Sequence, residues 1–116
     1  MLNKANRLSK DRDFNEVFKY SRPVSVGNLQ IRSAQSKLNT EHSRFGFVIS
    51  NKIDKRATRR NALKRQLRAI TQSLLSEVKS GYDVIVQVRR NYNFPYDQKI
   101  IADELTAGIK KLGLIK

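Results

Sequence analysis

Residues 44–68, RFGFVISNKIDKRATRRNALKRQLR, change period halfway along. Residues 44–50, with Phe45, Phe47, Val48 and Ile49 around Gly46, read as a strand. From about Thr58 onward the apolar residues recur at helical spacing. At about 100° per residue, Leu63, Leu67, Ile70, Leu74 and Val78 fall within about 80° of one another. Asn61, Lys64, Arg65 and Arg68 fall in a separate sector. A helix over residues 58–79 is therefore expected, with one face to bury and one cationic face. Gly81 stands where a helix C-cap belongs.

The flanking segments supply the layer on which such a helix packs. Downstream, Val84, Val86 and Val88 alternate, with Ile85 opposite, and predict a central strand over residues 82–89. Residues 91–95 read as a turn. A last helix follows over about 96–112, with Ile101, Leu105, Ile109 and Leu112 at helical spacing. Upstream, residues 37–43 are a polar loop. Leu29 and Ile31 alternate with Asn28, Gln30 and Arg32 in a half-buried strand that runs to about Gln35, after a short strand over 24–26. Residues 31–35 and 44–50 suit an antiparallel hairpin. Before Pro23, a helix capped by Ser9 carries Asp11 and Asp13 in its first turn, beside the positive end of its dipole. Phe14, Val17 and Phe18 share one of its faces. Residues 1–9 read as an extended, flexible basic arm with Lys4 and Arg7. The order is helix, three strands, helix, strand, helix. It predicts a single α+β domain over residues 1–116, an αβββαβα sandwich with helices on a mixed four-stranded sheet.

Charge narrows the function. Residues 52–68 hold eight basic residues and one acid, Asp54, a net +7 that is half of the chain's formal +14. Such a density repels itself unless a polyanion neutralises it, and phosphate backbones do so with release of counterions. Arginine offers two parallel hydrogen bonds to one phosphate, and lysine a mobile point charge. Lys52, Lys55, Arg56, Arg59, Arg60, Asn61, Lys64, Arg65 and Arg68 are the candidate contacts. Asn61, Lys64, Arg65 and Arg68 span some 10 Å, enough to follow several phosphates. This pattern points to recognition of RNA shape rather than a base code, although the residues alone do not exclude DNA.

Other chemistry finds little support. The chain has no cysteine, so it carries neither disulfides nor thiolate metal sites. The start, MLNKANRLSK, has no signal-peptide run, and no stretch approaches the roughly 20 apolar residues of a membrane span. A cytoplasmic location is expected. His42 is the only histidine. Asp11, Asp13 and Glu16 do not share a helix face and read as dipole partners. Asp103 and Glu104 point apart. A two-metal nuclease needs converging carboxylates, and none assemble. No catalytic or metal-ligating residue is expected on the chain.

The order of elements and three segments together resemble the bacterial ribonuclease P protein family. The segments are RLSKDRDFNEVF near the start, RFGFVIS, and KRATRRNALKRQLR in the basic helix. The likeness covers essentially the whole length. The family's Arg-Asn-Arg pattern falls on Arg60, Asn61 and Ala62, followed by Leu63, Lys64 and Arg65. Ala62 replaces the usual arginine, so any phosphate contact of that side chain is missing.

The resemblance implies the accessory protein subunit of the endoribonuclease that removes the 5′ leader of precursor tRNA. The RNA subunit carries the chemistry, and Mg2+ is held mainly by that RNA and the substrate, with no organic cofactor. The protein binds the RNA subunit through the basic helix and the loop before it. The resemblance also implies a left-handed βαβ crossover around that helix. It further implies a cleft for the single-stranded leader between the first helix and the sheet, lined by Phe14, Phe18, Asn28, Gln30 and Arg32, with Arg7 and Lys10 along its rim. By spacing alone, Phe14 and Phe18 read as core. The partners implied are the ribonuclease P RNA and precursor tRNA, with no membrane and no obligate protein partner. A structural rRNA-binding protein, which needs only the basic helix, and a protein-only nuclease are the competing readings.

Overall fold

A computed structural model describes residues 4–36 and 41–115. The elements are α1 (Asp11–Tyr20), β1 (Val24–Val26), β2 (Leu29–Gln35), β3 (Arg44–Val48), α2 (Ala57–Leu74), β4 (Tyr82–Val88) and α3 (Gln98–Lys111). Short 3-10 turns occupy Lys4–Asn6 and Leu75–Glu77. The strands form one four-stranded sheet in the order β1-β2-β4-β3. This is the mixed α+β sheet that the sequence predicts. No helix among the described residues is long and apolar enough to cross a membrane.

The expected β2–β3 hairpin is not formed. β4 lies between the two strands, antiparallel to β2 and parallel to β3. Val84, Ile85 and Val86 are each fully buried, so β4 needs a neighbour on both edges and cover on both faces. A hairpin would have left it on an edge. The parallel β3–β4 pair, with Phe45 opposite Val84 and Phe47 opposite Val86, is possible because α2 supplies the long crossover that parallel strands need.

Strand alternation splits the core in two. Leu29, Ile31, Val84, Val86 and Val88 point to one side, where they join Leu63, Leu67 and Ile70 of α2 and Ile101, Leu105 and Ile109 of α3. Ile85 points to the other side and joins Leu8 and Val17, with Phe14, Ala34 and Val48 packed around them. Full burial of each such side chain contributes about 1.5–3 kcal/mol before chain entropy is counted. So α1 covers one face of the sheet, and α2 with α3 covers the other.

Three termini differ from expectation. The cap of α1 is Lys10, whose side chain makes no capping bond, so Ser9 has no capping role. Over residues 4–8 the basic arm is docked: the Leu8 amide donates to the Phe45 carbonyl at 3.0 Å, and Leu8 is buried. Leu8 supplies the apolar surface that the charge reading overlooked; residues 1–3 of the arm lie outside the described residues. Finally, α2 stops at Leu74, and Val78 is buried instead through an isolated bridge to Ile115. Gly81, at φ 87°, leads the chain into β4 rather than capping α2.

Candidate nucleic-acid interface

The first surface lies beside α1. Cross-strand register places Gln30 opposite Gln87 and Arg32 opposite Ile85, so these four share the α1 face of the sheet. The helix crosses that face from β3 toward β2. At its start the Phe14 ring lies directly over Gly46, where any Cβ would collide with it. One turn on, Phe18 is 41% exposed, and the Arg32 guanidinium sits 5.0 Å from its ring centroid. Arg32 Nε is buried and has no acceptor. An aromatic ring, a guanidinium with an unsatisfied donor, and the polar Gln30 thus lie together on the α1 face of the sheet.

The other expected groove residues divide. Phe14 is half-buried and packs in the small core, so it is a support rather than an open platform. Asn28 is drawn to the turn instead. Its amide side chain donates to the Asn91 carbonyl at 3.1 Å, and its backbone N–H donates to Glu104 Oε1 at 3.0 Å. The same Glu104 oxygen accepts the Tyr92 hydroxyl at 2.7 Å. Burial and that carboxylate push the Tyr92 hydroxyl pKa far up. Lys10 is exposed at the entry to α1, and Arg7 is exposed where the chain bridges to Phe45.

The second surface is on the opposite side of the sheet, along α2. Leu63, Leu67 and Ile70 are buried, which turns the cationic sector outward. Asn61 and Arg65 are exposed; Lys64 and Arg68 are half-buried. The first turn of α2 holds no acidic residue and its cap makes no side-chain bond. Within the helix no acid offsets its positive end; the carboxylate that approaches it is Asp54, in the loop before it.

The loop before α2 is built on Asp54, the one acid of the basic run. Asp54 is buried. It accepts the Arg56 backbone N–H at 2.9 Å and the Asn91 amide at 3.2 Å. The Arg56 N–H is the main reason its pKa lies below the ordinary aspartate value. The Asp54 carbonyl accepts from Arg60 at 2.8 Å, so Arg60 is partly committed to shaping this loop. Lys52, Lys55 and Arg56 remain exposed around it.

Two features escape a reading by charge and period. One is Phe94, which is 52% exposed yet lies under Arg59, whose guanidinium carbon is 4.1 Å from the ring centroid. The turn residues around it gave no signal, because the pairing joins segments 35 residues apart. The other is a buried ion cluster. Arg44 grips Asp83 through two bonds of 2.8 Å and reaches Asp13 at 3.2 Å. Those bonds, Asp83's above all, raise the Arg44 pKa. Asp13 is thus an ion-pair partner under α1 and not a dipole partner at the surface. Among the described residues no three His, Asp or Glu side chains gather as a cation shell.

The family model described as Ribonuclease P matches residues 2–113. A ribonuclease P protein component from Synechocystis is 38% identical over 87 residues, spanning 75% of this chain and 69% of the relative. Another, from Pseudanabaena, is 36% identical over 100 residues, spanning 86% and 85%. Among solved structures, a Staphylococcus aureus RNase P protein mutant with defective mRNA degradation activity superposes with a TM-score of 0.85 at 25% identity, covering 97% of this chain and 92% of its own. The RNase P protein from Thermotoga maritima, in complex with a fluorophenyl thiourea, gives 0.76 at 26% identity, covering 90% and 98%. The sequence match over nearly the whole length and the shared fold agree: this chain belongs to the ribonuclease P protein family.

Proposed function

We propose that this accessory subunit of ribonuclease P works through two separate RNA surfaces. The α2 face and the loop over residues 52–56 bind the catalytic RNA by its backbone. The α1–β2 groove at Phe18, Arg32 and Gln30 binds the single-stranded 5′ leader of precursor tRNA. One observation carries the reading: an exposed aromatic and a cation with an unsatisfied donor lie across the sheet from the basic helix. A protein that only bound structured rRNA would need the helix alone. Base stacking on Phe18 and a phosphate on Arg32 hold a single strand without reading its sequence.

The chemistry is assigned to the RNA. Asp13 and Asp83 are held by Arg44, Asp54 by the Arg56 N–H and Asn91, and the half-buried Glu104 by Tyr92 and Asn28, so these carboxylates have structural duties. On this reading Mg2+ belongs to the RNA and the substrate. The protein's share is to retain the substrate while that chemistry proceeds. The test is precursor-tRNA cleavage at low magnesium with a bacterial ribonuclease P RNA. The chain is expected to restore cleavage with the RNA and to give none alone. Leader removal by repurified, RNA-free protein would overturn the division of labour.

A further inference from the structure

Phe94 has no evident reason to be aromatic on packing grounds. Its neighbour Tyr96 is packed against the main core and meets the Phe94 ring edge to face, centroids 5.2 Å apart. Phe94 itself stays 52% exposed. What it does hold is Arg59, in the first turn of α2, whose guanidinium lies over the ring at 4.1 Å. Such a contact fixes the orientation of a flexible side chain without using its N–H donors. Among the described residues the Arg59 guanidinium donates no hydrogen bond, in contrast to Arg60, which is tied to the Asp54 carbonyl. Arg59 is therefore oriented by the ring, with its donors open.

The surroundings decide the occupant. Lys52, Lys55 and Arg56 are exposed in the adjoining loop, and the local acid, Asp54, is buried and bonded. An apolar protein partner would have to desolvate this ring of cations; an RNA strand brings phosphates to them. We propose that Phe94 and Arg59 form a docking platform for one unpaired nucleobase of the RNA bound along α2. The base continues the stack of ring and guanidinium, and the guanidinium N–H groups take a flanking phosphate. This platform is distinct from the Phe18 groove, which lies across the sheet. It also adds base stacking to a surface that otherwise reads only backbone. The proposal rests on the α2 face being the RNA-subunit site.

The experiment uses the full chain with ribonuclease P RNA and compares Phe94→Ala, Phe94→Trp and Arg65→Ala. Phe94→Ala is expected to weaken binding by about 5- to 150-fold, the range for losing one base–aromatic stack. It should leave the melting temperature and the salt slope unchanged, because no charge is removed. Phe94→Trp should keep the affinity. Chemical probing should show one unpaired base protected by the wild type and by Phe94→Trp, but not by Phe94→Ala. If Arg65→Ala weakens binding while Phe94→Ala stays within twofold of wild type, the platform is wrong and the α2 site stands. If both bind like wild type, the α2 reading itself fails. A Phe94→Ala protein that loses melting temperature and affinity together would make Phe94 a structural residue and overturn the proposal.

Discussion

The Arg32 guanidinium lies over the Phe18 ring, 5.0 Å from its centroid, and links β2 to the exposed flank of α1. The pair explains how an aromatic can sit 41% exposed without collapsing onto the sheet. It also leaves Arg32 Nε buried without an acceptor, an arrangement that costs about 1–3 kcal/mol unless a ligand or water supplies the missing oxygen. A leader phosphate in the groove would supply it.

Phe14 and Phe18 should therefore differ in kind. Phe18→Ala is expected to keep a near-native melting temperature and full affinity for the catalytic RNA. It should lose the preference for precursors with several leader nucleotides over mature tRNA, a stack worth about 1–3 kcal/mol. Phe14→Ala empties the space over Gly46 and should cost about 3 kcal/mol of stability, the lower end for a ring because Phe14 is only half-buried. Thermal melts beside leader-length dependence separate the two. Unchanged leader discrimination in Phe18→Ala would remove the groove from the account.

Sequence pattern and structure agree where a residue's role depends on near neighbours. The buried stripe Leu63, Leu67 and Ile70 follows from helical period, and the alternation of Val84, Val86 and Val88 from strand period. Both survive in the fold, as does the element order. What failed depends on distant partners. The place of β4 between β2 and β3 is set by its need for cover on both faces, which local alternation does not express. Asp13 lies in a first helical turn, where acids usually serve the dipole; only the fold brings Arg44 beneath it. Asn28 has the right strand parity for the groove, yet Asn91 and Glu104 claim it from the other end of the chain. At the candidate site, the basic helix was legible as charge, whereas Phe94 became visible only through its contact with Arg59.

The cluster under α1 makes the fold depend on Arg44. Arg44→Met leaves Asp13 and Asp83 buried with no counter-charge. The expected loss is about 3 kcal/mol, at the low end for a broken buried pair because the Arg44 side chain keeps 18% of its exposure. Adding Asp13→Asn and Asp83→Asn should recover part of that loss, since the uncompensated charges are gone. Urea unfolding of the single and triple variants checks this. A triple variant less stable than Arg44→Met would mean that the aspartates act through hydrogen bonds rather than charge.

Asp54 should give the basic loop a defined acid limit. Its folded pKa lies below the ordinary 3.8, chiefly through the Arg56 N–H and then the Asn91 amide. A depressed carboxyl pKa stabilises the fold fully above the unfolded value, and that contribution disappears as pH falls through the folded one. Melting temperatures of the wild type and Asp54→Asn should therefore differ at pH 6 and converge as the pH drops below 3.8. Other carboxyl groups titrate in both proteins and cancel in the difference. A gap that stays constant down to pH 2 would show that Asp54 acts by shape alone.

The two faces of α2 should respond to opposite probes. Leu67 is fully buried against the sheet, so Leu67→Ala should cost about 2–5 kcal/mol of folding stability. Arg65 is exposed and Arg68 half-buried on the outer sector, and Arg65→Ala or Arg68→Ala should weaken binding of the catalytic RNA with little change in melting temperature. If roughly five phosphates are neutralised, log affinity should fall with log salt at a slope of about −3.5 to −4.5, and each arginine removed should reduce that slope by about 0.7–0.9. A flat salt response would show that the cationic sector does not meet an RNA backbone. Equal melting losses in all three variants would contradict the division of the helix into a buried face and a binding face. The decisive pattern is a stability loss confined to Leu67→Ala, with a reduced salt slope confined to the arginine variants.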